Sequence, residues 1–322
     1  MKINGIEILA PGAMTTVQDF GRIGYGDRGF SPSGAADGQA MEIGNLLVGN
    51  IGSEAVLECT LMGPTIQFLS DTVIALTGAN MHAKNTLEDL PLNRALQVKA
   101  GDIVQLGMAS DGCRGYIAFA GGLEVPEVLG SKSLNQKCKM GGGFGRPLQA
   151  GDQLKLGKEG VLKKAIEERI YTKPAVKKNQ EAENTVRQLH VVLGPQEASF
   201  TEEGIHTFTT QPYIISNDSN RMACKMTGPE IACVTTSDII SDGIALGAVQ
   251  ISSNGQPIVM LADRQTTGGY AKIATVISTD IPILAQCKPG EKVVFCLVTL
   301  REAQRRYRRY RRELNRFRKK IM

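Results

Sequence analysis

The chain has 322 residues, of which 42% are hydrophobic and 36 are glycine, with no tryptophan and a formal net charge of +5. This is enough apolar content for well-formed cores and a length that suits about two domains, while no run of ~20 apolar residues offers a membrane span. From Arg301 to Met322 there are eleven Arg/Lys and two Glu, a balance of +9, so the remainder carries −4 and gives no ground for a nucleic-acid partner.

The first segment, MKINGIEILAPGAM, has one lysine and then Asn4 and Glu7 inside any apolar stretch, so it does not read as a signal peptide. Short apolar runs follow: IEIL, AVLEC, TIQFL, TVIALTG, DIVQLG and GYIAFAGG. Each is bounded by Gly, Pro, Asn or Asp, which predicts a mainly β architecture with few helices. Residues 35–48 differ. Ala36, Ala40, Ile43, Leu46 and Leu47 recur at helical spacing, with Ser33 as the expected cap.

Lys158 to Arg187 is a composition break, polar and charged with a single proline. The expected organisation is an N-terminal domain over 1–160, a linker or surface excursion over 161–187, a C-terminal domain over 188–300 and a basic helix over 301–322. In that last segment Leu300, Ala303, Tyr307, Tyr310, Leu314, Phe317 and Ile321 form one apolar stripe, with arginines on the other faces. The stripe can dock on the protein's own body, on another chain, or on nucleic acid or an anionic membrane. The expectation is that protein covers it.

The seven cysteines are odd in number and scattered, with no CxxC pair, so neither a disulfide framework nor a zinc site is expected and a reducing cytoplasm is the natural compartment. His82, His190 and His206 show no HxH or HExxH spacing, and no metal is expected. GxSxG and GxxxxGK[ST] are both absent.

Chemistry concentrates between Gly247 and Tyr270. The apolar run Pro257 to Ala262 breaks into Asp263, Arg264, Gln265, Thr266 and Thr267, closed by Gly268, Gly269 and Tyr270. A guanidinium, a carboxylate, an amide and two hydroxyls can read a small polar or anionic substrate. The same residues also fit a strand-to-turn junction with a local Asp/Arg pair. Asp263, Tyr270 and Lys272, lying in one cluster, are the candidates for acid–base work. Gln18, Asp19 and Arg22 suit either a second wall of the site or a β-turn with a surface ion pair. Gly142, Gly143 and Arg146 of GGGFGR suit either an anion cradle or a glycine-rich hairpin.

DRQTTGGY, with GAVQ upstream and AQCKPGEKVVF downstream, resembles the carboxyltransferase domain of urea amidolyases and the family of 5-oxoprolinase C subunits (allophanate hydrolase subunit 2). TVQDFGRIGYGDRG, PSGAADGQAMEIGNLLVGN, MGP, GGLEVPEVLGS, GGGFGRPLQAGD and LGPQ extend the resemblance in order over roughly residues 9 to 300. It implies two cyclophilin-like β-barrel domains. It also implies an ATP-dependent subunit that opens 5-oxoproline to glutamate, inactive alone, with ATP as co-substrate. The implied partners are a subunit-B-like (histidine-kinase-inhibitor-like) protein and a LamB/YcsF-like protein that completes the complex. Two alternatives are a carboxyltransferase acting on a urea-like amide and a non-catalytic regulator gripping the subunit-B-like protein. No MKM-like signature is present, so this chain is expected to carry no covalent cofactor, and biotin in the carboxyltransferase alternative sits on a partner. The resemblance adds Gln250 to the substrate-binding set, and implies that Arg264 and Arg22 hold carboxylate or phosphate oxygens. Lys132, Leu134, Ala223, Lys225 and Leu246 depart from the usual pattern, which leaves room for a relaxed or different substrate.

Overall fold

The computed structural model describes residues 3–86, 88–158, 165–172 and 186–321. Most of the expected linker 161–187 therefore lies outside the described residues. The fold is mainly β. Among the described residues there are four α-helices: α1 (Gly38–Leu47), α2 (Glu202–Thr210), α3 (Ile281–Ala285) and α4 (Leu300–Ile321). The chain divides into two compact units, Met1–Ile23, Ser33–Pro174 and Glu313–Met322 in the first, and Gly24–Pro32 and Ala175–Arg312 in the second.

All the short apolar runs of the first half are strands. One sheet has the order Met14–Gln18, Val56–Thr60, Asp111–Phe119, Thr72–Asn80, Ala95–Val98. The other runs Leu123–Glu124, Gln153–Leu156, Gly5–Ala10, Thr65–Phe68, Ile103–Gln105, Lys84–Asn85, Glu88–Asp89. Alternation sends Ile6, Ile8, Ile66 and Phe68 inward to meet Leu57, Ile74, Ile117 and Phe119. Helix α1 covers the outer face of the first sheet. Its approach is close enough that a Cβ on Gly44 would stand 3.2 Å from Ala118 Cβ and Thr77 Oγ1.

The five apolar residues expected on this helix are all buried, but its cap is not Ser33. Asp37 accepts the Ala40 N–H at 2.9 Å, while Ser33 lies in a left-handed turn at φ 57°. A buried network selects this start. The Tyr116 hydroxyl donates to Glu58 and accepts from the Asp37 N–H, each at 2.8 Å, and the Ala36 N–H donates to the same carboxylate oxygen. Burial, then the charges of Glu58 and Asp37, pushes the Tyr116 phenol well above its ordinary pKa.

In the second unit seven strands close a barrel in the order Arg187–Leu193, Lys272–Val276, Ala248–Ile251, Pro257–Met260, Ala223–Thr227, Tyr213–Ile215, Lys292–Leu297. The closing pair, Arg187–Leu193 with Lys292–Leu297, is parallel and the others are antiparallel. Leu189, Val191, Val249, Val259, Ile273 and Val293 fill the interior, and Phe295 stacks on Phe208 of α2 with ring centroids 4.4 Å apart. Against this rigid wall a two-stranded ribbon, Asp238–Gly243 with Thr267–Tyr270, stands apart. The seven cysteines are free thiols. Among the described residues no helix is long and apolar enough to cross a membrane.

Helix α4 matches the predicted segment, and its stripe is covered unevenly. Leu314 and Ile321 are buried, and Phe317 meets Tyr171 edge-on at 4.8 Å. Leu300 and Tyr307 remain 62% and 47% exposed. The expected cover thus exists for the end of the helix and not for its beginning. Leu314→Ala should cost about 2–5 kcal/mol in a denaturant titration, as for a buried leucine cavity, whereas Leu300→Ala should stay within about 0.5 kcal/mol. Equal losses would contradict this division of the stripe.

Candidate functional site

The site grows from the end of strand Pro257–Met260. Its neighbour Ala223–Thr227 is preceded by Arg221 and Met222, and the two chains stay bonded beyond the ladder. The Leu261 N–H donates to Met222 O at 2.8 Å, and the Asp263 N–H to Arg221 O at 2.9 Å. The Arg264 N–H then turns back to Leu261 O at 3.2 Å. At this turn Arg221 and Asp263 form a two-pronged ion pair, Nε to Oδ2 at 2.8 Å and Nη2 to Oδ1 at 3.2 Å. Asp263 therefore pairs with Arg221, not with its neighbour Arg264.

Arg264 has no carboxylate partner among the described residues. Its Nε donates to Ile244 O at 3.0 Å and its Nη1 to Leu261 O at 3.2 Å. Nη2 has no acceptor among the described residues. Desolvation lowers the guanidinium's pKa, yet arginine stays charged. A half-buried cation whose only acceptors are carbonyls favours an anion on its open side. Ser31 fixes this turn from the early segment Gly24–Pro32, its Oγ donating to Arg264 O at 2.6 Å and Asp263 O at 3.3 Å.

Polar groups not engaged elsewhere lie just beyond. The side chains of Gln265, Thr266, Thr267 and Tyr270 make no hydrogen bond within the described residues. Backbone bonds hold them in place: the Ile244 N–H donates to Thr266 O at 3.0 Å, and Gly243 pairs with Thr267 in the ribbon. Gln250 is buried and donates from Nε2 to Tyr270 O at 3.1 Å. A Cβ on Gly268 would stand 3.0 Å from that amide nitrogen and 2.6 Å from Ile244 Cδ1, so a larger residue would displace the ends of both side chains. Gly269 continues the strand past Ile239 O.

A second ion pair completes the cluster. Lys272 is buried and its Nζ donates to Asp242 Oδ2 at 2.9 Å. The Lys272 hydrogen bond, with the Gly243 N–H, holds the Asp242 carboxyl below the ordinary carboxylate range. Gln196 of LGPQ bridges the pair, accepting from the Lys272 N–H at 3.2 Å and approaching Asp242 Oδ2 at 3.4 Å. Residues Asp242 to Ile244 thus reach both cations, one by a carboxylate and one by a carbonyl. Two neutral ion pairs and one arginine without a carboxylate partner, beside hydroxyls not engaged elsewhere, can take a small anionic ligand.

The other predicted residues are placed differently. Gln18, Asp19 and Arg22 are buried, so the surface ion-pair reading fails. The Gln18 amide lies against Thr16 Oγ1 and Leu134 O. Asp19 accepts from the Gly21 and Lys132 N–H groups and from the Ser131 and Ser133 hydroxyls. Arg22, 1% exposed, donates to Ser133 O at 2.6 Å and Val128 O at 3.4 Å. Among the described residues this guanidinium faces carbonyl oxygens of the first unit.

At the expected anion cradle of Gly142, Gly143 and Arg146, partners within the chain take up the polar groups described next. Arg146 is engaged by Asp152, Nη1 to Oδ2 at 2.7 Å and Nη2 to Oδ1 at 2.8 Å, and lies over the Phe144 ring. The Gly142 N–H donates to Lys132 O at 2.8 Å. Both glycines have left-handed φ, 64° and 79°, and face Leu134 and Val125 too closely for a side chain. Among the described residues no group of three or more His, Cys, Asp or Glu is placed to hold a metal.

Sequence reasoning did not place Arg221, Asp242, Gln196 or Ser31 in the site. Gln196 falls in LGPQ, a stretch that carries the family resemblance, and Arg221 lies two residues before Ala223, a position already compared with the family pattern. Asp242 and Ser31 carried none.

The chain is similar to known proteins over most of its length. The family model described as "Carboxyltransferase domain, subdomain A and B" matches residues 28–297. The chain is 36% identical over 301 residues to the 5-oxoprolinase C subunit of Escherichia coli K12, covering 92% of this chain and 93% of that one. It is 34% identical to the 5-oxoprolinase C subunit of Haemophilus influenzae over similar shares. It is 31% identical to "Urea amidolyase" of Lachancea kluyveri, over 92% of this chain but 17% of that protein. The crystal structure of Kluyveromyces lactis urea carboxylase superposes with a TM-score of 0.88 at 29% identity, over 98% of this chain and 29% of that chain.

Arg146→Gln separates the two readings of the glycine run. Arg146 holds the Asp152 carboxyl below the ordinary range, so the pair's stabilisation is full above the unfolded carboxyl value of about 3.9 and is lost as pH falls through the lower folded value. Removing Arg146 should move the acid unfolding midpoint to higher pH and leave phosphate binding unchanged. A loss of phosphate affinity instead would favour the cradle.

Proposed function

The chain belongs to the carboxyltransferase-domain family, subdomains A and B, and on that premise we propose that it is one subunit of an ATP-dependent 5-oxoprolinase complex. The observation that carries this reading is near end-to-end likeness to proteins named as C subunits of 5-oxoprolinase, 92% of this chain against 93% of the Escherichia coli protein. The urea amidolyase is far longer, and the chain spans only 17% of it.

A lactam carbonyl is a poor electrophile. Transfer of the γ-phosphoryl group of ATP to its oxygen makes the ring carbon far more reactive. Water then adds there and the C–N bond breaks, leaving an acyl phosphate. A second water releases phosphate, so 5-oxoproline, ATP and two waters become glutamate, ADP and phosphate. The protein's part is positioning and charge stabilisation. In this reading Arg264 holds an anionic oxygen of the substrate or of its phosphorylated form, and Gln265, Thr266 and Thr267 orient the lactam. Asp263 serves by fixing Arg221 and the turn, and Lys272 by its pair with Asp242. The uncommitted Tyr270 hydroxyl remains the group for proton transfer. The other parts of the reaction fall to a subunit-B-like partner and a LamB/YcsF-like partner, in the cytoplasm.

The structural likeness to urea carboxylase, at a TM-score of 0.88, favours one alternative: carboxyl transfer to a urea-like amide from carboxybiotin borne by a partner. Reconstitution separates the two. With both partner proteins, the chain should form glutamate and ADP in equal amounts from 5-oxoproline and ATP, and none when any component is left out. Carboxylation dependent on a biotin carrier, without lactam hydrolysis, would establish the alternative.

In the assembled complex Arg264→Ala should lower kcat/KM by about 100-fold, near the ~2.7 kcal/mol expected for charge-assisted hydrogen bonds, with an unchanged melting temperature. Unchanged kcat/KM would reject the clamp, and a collapsed melting temperature would mark Arg264 as structural.

A further inference from the structure

Helix α4 lies beyond residue 297, where the family match ends. Of its eleven basic residues nine are arginine. Arg301, Arg305, Arg308, Arg312, Arg316 and Lys319 follow one another at steps of four, three, four, four and three. At 3.6 residues per turn they form a single row, about 27 Å long. All six are exposed. The row lies opposite the stripe that buries Leu314 and Ile321. No carboxylate pairs with any of the six among the described residues. Glu302, on the flank, is taken by Arg306 at 3.0 Å.

Like charges at i, i+4 destabilise a helix, and nothing in the described chain offsets them here. We infer that this row is a binding surface for the phosphate backbone of a nucleic acid. Three observations select that partner. The cations recur about every 5.4 Å, one per helical turn, a regular ladder suited to a polyanion with charge at every repeat. Arginine dominates, and its planar fork matches phosphate oxygens in two-pronged contacts. The apolar face that a membrane-surface helix would insert is covered over the last turns, at Leu314, Phe317 and Ile321, and open only over the first, at Leu300 and Tyr307. The charge of the chain outside this helix, −4, gives no ground for nucleic acid; the row's geometry does. The inference is independent of the proposed enzymatic role, because no residue of the row belongs to the Arg264 site.

The test is fluorescence anisotropy with the full chain and a labelled 20-nucleotide single-stranded RNA. Six neutralised phosphates give a log–log salt slope of about −4, hence a loss of about 250-fold in affinity between about 50 and about 200 mM salt. The variant Arg305→Gln/Arg308→Gln/Arg312→Gln/Arg316→Gln keeps helix-forming residues and should make the slope shallower by about 3. Circular dichroism and the melting temperature establish that this variant is folded. A second folded variant, Arg301→Gln/Lys319→Gln, should lose about 1.4 of slope and keep the proposal testable if the first misfolds. Absence of RNA binding at about 50 mM salt, the low end of that range, overturns the inference. So does equal affinity for polyglutamate of matched length, which would assign the row to an acidic protein. Tighter binding to vesicles of anionic lipid than to RNA would assign it to a membrane surface and also overturn it.

Discussion

The bidentate pair between Arg221 and Asp263 is the constraint on which the candidate site depends. Its side chains are 7% and 12% exposed, so neither charge is well solvated. Removing one partner from such a pair leaves a buried charge at a cost of about 3–5 kcal/mol. The pair locks the register already set by the backbone bonds from Leu261 to Met222 and from Asp263 to Arg221. It also has an electrostatic consequence. With the Asp263 carboxylate occupied, the adjacent Arg264 has carbonyl acceptors only. A strand end that reads as a self-neutralising Asp/Arg dipeptide is instead an ion pair followed by an open cation.

The ribbon beside this turn distributes the remaining polar groups. Asp242 neutralises Lys272, and two residues later the Ile244 carbonyl receives Arg264. The same short stretch therefore quenches one cation and merely orients the other. Gly268 lets the Gln250 amide pass beneath the ribbon to Tyr270 O, which fixes the strand that presents Thr266 and Thr267. Rigid barrel strands on one side and a ribbon on the other hold the hydroxyls without using them. Such an arrangement fits the binding role proposed for these residues.

Much of the fold is legible in the sequence because β-rich units leave a local signature. Apolar runs cut by Gly, Pro, Asn or Asp gave the strands of the first half, and the 3.6-residue period gave α1 and α4. The cap of α1 was misassigned because Asp37 is chosen by a network through Tyr116 and Glu58, residues far away in the chain. The site was legible where it is contiguous, from Asp263 to Tyr270. Its partners Arg221, Asp242, Gln196 and Ser31 come from separate strands and loops, and cross-strand ion pairs have no periodicity. For Gln18, Asp19 and Arg22 the surface ion-pair alternative fails for a related reason: a polar, glycine-flanked segment looks the same whether it lies on the surface or anchors an interior loop. At Gly142 and Gly143 the glycines answer a left-handed backbone and close packing.

The central claim is that Arg264 is kept without a counter-charge so that a ligand anion can supply one. The most direct measurement compares binding of 5-oxoproline with binding of 2-pyrrolidinone, the same lactam without its carboxylate, to the assembled complex and to its Arg264→Gln variant. The account predicts that the intact complex prefers 5-oxoproline by about 10-fold or more, the ~1.5 kcal/mol floor of a charged hydrogen bond, and that the variant loses this preference. Equal affinity of the intact complex for both lactams, or a preference that survives in the variant, would contradict it.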